Sequence, residues 1–144
     1  MSHGQRSAVS SYNEQEILNE SAVALIARVY DMAGVEIARA RANLAGGTPA
    51  GKGAAVSRAV WCISLLQSSL NMRAGGEVAR NLDRLYTYLL RCLMTAHVQN
   101  DDAALAEVAG HLSELGSAWR KVADDERAGN FVRPPDAQLA ATVP

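Results

Sequence analysis

Gly75-Gly76-Glu77-Val78-Ala79-Arg80-Asn81-Leu82-Asp83-Arg84-Leu85-Tyr86-Thr87-Tyr88-Leu89 is the stretch whose reading decides the fold. The paired glycines break one segment, and a helix starts behind them. Val78, Leu82, Leu85 and Leu89, with Cys92 and Ala96 beyond, step by four and three residues, which sets one apolar stripe on a helix from about Gly76 to Val98. Glu77 falls in the first turn, where a carboxylate meets the positive end of the helix dipole. An isolated helix of this kind is marginal in water and gains its stability by packing the stripe against other helices.

Three such partners are legible on either side. Upstream, Ser21 can act as N-cap for a helix running to about Leu44, with Ala22, Leu25, Ile26, Val29, Ala33, Ile37, Ala40 and Leu44 on one face. The cluster Ala45-Gly46-Gly47-Thr48-Pro49-Ala50-Gly51-Lys52-Gly53 reads as a connecting loop. From about Ala54 to Asn71 a second helix carries Val56, Ala59, Val60, Ile63, Leu66 and Leu70. Downstream, Gln99-Asn100-Asp101-Asp102 stops the glycine-led helix and caps a fourth, whose stripe is Leu105, Val108, Leu112, Leu115, Trp119 and Val122. The fold class expected is therefore all-α, an antiparallel up-down four-helix bundle over residues 21–127. Residues 1–20 read as a flexible N-terminal arm and 128–144, with Gly129-Asn130 and Pro134-Pro135, as a loose tail.

Composition fits one helical domain. A chain of 144 residues can bury roughly 68–70% of its unfolded surface. Fourteen basic and fifteen acidic residues leave a net charge of −1, so no electrostatic footprint for nucleic acid is present. Cys62 and Cys92 stand apart without a Cys-x-x-Cys pair, which suits reduced core thiols in a cytoplasmic protein. No apolar run approaches the ~20 residues that span a bilayer, so no direct membrane insertion is expected.

Catalysis finds no constellation. A metal site in a bundle needs Glu-x-x-His pairs facing inward from several helices, and the chain has only Glu107 and His111 at i and i+4, which read as a solvated pair. His97 at a helix end suits the dipole rather than a substrate. Gly51-Lys52 lacks the spacing of a phosphate loop. No enzyme, no metal and no cofactor are expected.

The apolar residues exceed one seam. Tyr86, Leu90 and Leu93 lie beside the stripe of the third helix, and Trp61 and Leu65 lie outside the main face of the second. Such an excess is either a groove for a partner helix or a wider buried face, which periodicity alone does not separate. Asn81 and Tyr86 are the polar-capable positions suited to a specific role, by hydrogen bonding to a partner or to the bundle.

The chain resembles the FliS family of flagellar secretion chaperones. Leu25-Ile26-Ala27-Arg28-Val29-Tyr30-Asp31-Met32-Ala33 is similar to the family's pattern Leu-Ile-x-Met-Leu-Tyr-Asp-Gly-Ala, and Gly75 to Tyr88 follows Gly-Gly-Glu-Ile-Ala-x-Asn-Leu-x-x-Leu-Tyr-x-Tyr. Arg91 to His97 and Leu112 to Trp119 resemble two further motifs, so the likeness covers about residues 12–122. Ala22, Arg28, Met32 and His97 depart from the pattern. The resemblance implies an export chaperone that binds the C-terminal segment of flagellin, prevents its premature polymerisation and delivers it through the membrane export-gate protein. It further implies a bundle that the client wraps, with a monomer or weak homodimer expected for the free chain. Alternatives are a similar adaptor for another flagellar client, or a structural oligomeric bundle without flagellin affinity. The client-binding residues expected are Trp61, Leu65, Asn81, Tyr86, Leu90 and Leu93 on the bundle, with Tyr12, Ile17 and Leu18 of the arm occupying the groove when the client is absent. Asp31 is expected to link that arm to the first helix.

Overall fold

In a computed structural model, the structure describes residues 21–129. Tyr12, Ile17 and Leu18, the arm and most of the tail lie outside the described residues. Four helices follow one another: α1 (Ala22–Ala45), α2 (Pro49–Ser68), α3 (Met72–Gln99) and α4 (Asp102–Arg127). Each packs on its sequence neighbours, and α4 closes back on α1, giving the up-down four-helix bundle.

The helix starts are written in side chains. Ser21 Oγ accepts from the Ala24 amide at 3.0 Å and Asn71 Oδ1 from the Ala74 amide at 2.9 Å. Asp101 Oδ1 accepts from the amides of Ala103 and Ala104 at 3.0 and 3.3 Å. These contacts satisfy amides that have no partner inside the helix. Asn100 adopts the left-handed conformation that ends α3, with φ 52°.

Two boundaries differ from the sequence reading. The glycine-rich segment expected as a loop is helical from Pro49 onward, and only Gly46-Gly47-Thr48 connects α1 to α2. Proline suits the first helical position, because its fixed φ is helical and its missing N–H is needed by no one there. Gly51 leaves room for the Asn43 side chain of α1, which a Cβ there would push aside. Lys52, expected in a connecting loop, is buried and donates to the His97 carbonyl at 2.9 Å and to Asn100 Oδ1. Its ammonium thus closes the C-terminal end of α3 and ties that end to the start of α2.

The second difference is at the glycine pair. The helix expected from Gly76 begins at Met72 and kinks at Gly76, whose φ 54° and ψ −130° are open only to glycine. We expect Gly76→Ala to destabilise the bundle by about 1–3 kcal/mol through backbone strain alone. No atom lies within 4 Å of where the new Cβ would stand, so urea unfolding reads the strain without a clash.

The core follows from these placements. Ala33, Ile37, Ala55, Ala59, Ile63, Leu89, Leu93, Leu105 and Val108 are fully enclosed, and Trp119 and Cys62 are buried as expected. On α1 the buried line runs through Val23, Ala27, Tyr30, Ala33, Ile37 and Ala40, so Leu25, expected inside, is 39% exposed and Tyr30 takes the core position. On α3 the seam is Ala79, Tyr86, Leu89, Leu93 and Ala96, with Val78, Leu82, Leu85 and Cys92 only half-buried. The rotation has a physical reason: α3 touches both α2 and α4, and its buried arc centres between them.

Candidate functional site

An open apolar surface lies between α1 and α2. Met32 and Val35 on α1 face Trp61 and Cys62 on α2 across a cavity of about 450 Å³. Trp61 is 60% exposed, and Met32 and Val35 are each 49% exposed. Leu65, one turn beyond Trp61, and Leu25, two turns before Met32, continue the exposed line on each helix. α1 thus carries two apolar lines, one for the core and one for this groove.

Charge frames one end of it. Glu36, buried at the helix interface, accepts from Arg39 Nη1 at 2.8 Å and from Arg58 Nε at 2.7 Å. Both guanidiniums line the same cavity, so one carboxylate is shared between two cations. Burial, with the Glu36 charge beside it, pushes the Cys62 thiol above its ordinary range and keeps it protonated and unreactive. Asp31, at the rim, pairs with Arg120 of α4; the link expected to the arm falls outside the described residues.

The expected client residues divide. Trp61 stands exposed at the groove, and Leu65 is exposed one turn beyond it. Tyr86 and Leu93, expected as apolar excess on the outside, are instead buried seam residues, 2% and 0% exposed. Tyr86 OH is hydrogen-bonded to Tyr30 OH across the bundle, and burial first, then the Tyr30 neighbour, drives its phenol far above the usual range. Tyr86 is therefore a neutral fixture of the core, and Tyr30 is buried against it. Leu90 is half-buried against the core cluster. Asn81 is exposed on α3, where its Oδ1 accepts from Arg84 Nη1 at 3.1 Å. Met32 and Val35 were missed because their exposure depends on how α1 rotates against α2, which spacing along one helix does not reveal.

Glu107 and His111 meet through Tyr88 instead of each other: Tyr88 OH donates to Glu107 Oε1 at 2.6 Å, and the His111 ring sits edge-on to Tyr88 at 6.3 Å. That hydrogen bond holds the Tyr88 phenol protonated well above its ordinary range. Among the described residues, no helix is long and apolar enough to cross a membrane.

The family model described as flagellar protein FliS matches residues 5–126, nearly the whole of the bundle. The chain belongs to the FliS family. It is similar to the flagellar secretion chaperone FliS of Salmonella typhimurium, with 37% identity over 110 residues, 76% of this chain and 82% of that protein. The FliS of Escherichia coli is 28% identical over 109 residues, covering 75% of this chain and 80% of the relative. FliSB of Pseudomonas aeruginosa is 41% identical over 68 residues, 47% of this chain and 54% of that protein. These relatives are named as flagellar secretion chaperones.

Proposed function

We propose that this chain, a flagellar secretion chaperone by family, holds the C-terminal segment of flagellin in the α1–α2 groove. Working in the cytoplasm, it keeps the subunit from polymerising early and passes it to the membrane export-gate protein. The observation that carries the binding role is Trp61, a large ring 60% exposed beside Met32 and Val35 among the described residues. Apolar surface of this kind is what an amphipathic client helix covers.

A client segment that folds as it binds loses roughly 2–5 kcal/mol of the gross interaction energy in ordering, so the groove must bury considerable apolar area. Calorimetric titration of the full chain with a flagellin C-terminal peptide is expected to give a 1:1 complex with a negative heat-capacity change. Absence of binding, or a heat-capacity change near zero, defeats the proposal. Binding of another flagellar subunit in place of flagellin would move the chain to the alternative adaptor role.

A further inference from the structure

The side of α3 turned away from the bundle carries a second periodic line. Arg80, Arg84, Arg91 and Val98 step by four, seven and seven, and Met94 sits beside them, so all five project from one face. All five are exposed, Met94 by 60% and Val98 by 71%. This face lies roughly opposite the seam of Ala79, Tyr86, Leu89, Leu93 and Ala96.

The charge on the line is lopsided. Arg80 pairs with Glu77 at 2.8 Å, and Arg84 reaches only the neutral Asn81 side chain. Among the described residues, neither Arg84 nor Arg91 has a carboxylate within ion-pair distance. The field of the arginines is felt at Glu77, whose carboxyl is held below the usual range by the Arg80 hydrogen bond and charge, with Arg84 adding to it. The line is thus cationic from Arg80 to Arg91, over roughly its first two-thirds, and apolar at its end, over a length of about 27 Å.

We propose that the outer face of α3 docks an acidic amphipathic helix of a partner protein, with carboxylates against Arg80, Arg84 and Arg91 and apolar side chains against Met94 and Val98. The heptad-like spacing suits one helix laid along another. Two features favour a protein helix over nucleic acid. A phosphate backbone would use cations along the whole line, whereas its last turns are apolar, and the chain as a whole carries a net charge of −1. The face is separate from the α1–α2 groove, since α3 packs on α2 and α4.

The test uses the full chain and a fluorescent synthetic helix with glutamates on one face over its first two-thirds and leucines on that face over the rest. Fluorescence anisotropy is expected to show binding that weakens steeply with added salt. The double substitution Arg84→Glu with Arg91→Glu should weaken it by at least about tenfold. Both side chains are exposed, and circular dichroism checks that the bundle is intact. A lysine version of the helix should not bind, and Trp61→Ala should leave affinity unchanged. Equal binding of the lysine helix, or no effect of the double substitution, overturns the proposal. Heparin or duplex DNA binding as tightly as the glutamate helix would also overturn it, revealing a general anion surface. Loss of binding in Trp61→Ala would place the helix in the groove and overturn it as well. Failure of the flagellin titration leaves this assay unaffected, so the two proposals fall separately.

Discussion

Trp61→Ala is expected to weaken binding of the flagellin C-terminal segment by about 30-fold or more, the loss of an interface hot spot worth 2 kcal/mol. The melting temperature should move by no more than about 3 °C, as for a surface substitution away from the core. The asymmetry follows from where the ring stands. It is 60% exposed, so truncation removes little packing from the fold, yet it forms the α2 wall of a cavity whose other wall is Met32 and Val35. Tryptophan supplies a large apolar area with few rotatable bonds, which makes such a ring an anchor in interfaces. Calorimetric titration and thermal unfolding of the same sample read both quantities. Unchanged affinity would place the client elsewhere on the bundle, and a large drop in melting temperature would mean that the ring supports the fold.

The fold was legible in the sequence because each helix advertises itself at three levels. On α4, Asp101 caps, Leu105, Val108, Leu112 and Trp119 point inward, and Arg127 closes the last turn, so cap, stripe and charge agree. The start of α2 misled because glycine and proline are read as breakers, while Pro49 opens the helix and Gly51 makes room for α1. The candidate site was legible by half. Trp61 and Leu65 stood out as large apolar residues off the main face of their helix, and they are exposed. Tyr86 and Leu93 stood out by the same rule, yet they are buried, because α3 is flanked by two helices and its buried arc is wider than one stripe. What separates the two cases is the rotation of each helix about its axis. That rotation is set by contacts among all four helices and is not encoded by spacing within any one of them.

Leu93→Ala tests that separation directly, since its side chain was a candidate for the client and is wholly enclosed in the core. Removing a buried leucine loses its transfer free energy and leaves a cavity, together about 2–5 kcal/mol. Against a domain stability of roughly 5–15 kcal/mol this is a large fraction, and the melting temperature should fall by on the order of 10 °C. The cost should be at the high end, because Leu93 is wholly enclosed on a helix flanked by both α2 and α4, where neighbours on two helices limit collapse into the space. Flagellin-segment affinity, measured well below the melting transition, should change by less than about threefold, because the side chain reaches no open surface. The opposite outcome, lost affinity with unchanged unfolding, would mean that α3 turns Leu93 toward the client. Met94→Ala is the internal control: one residue along the same helix but 60% exposed, it should leave stability within about 0.5 kcal/mol. A stability loss at Leu93 and none at Met94 fixes which face of α3 makes the fold, and leaves the arginine-lined face free for recognition.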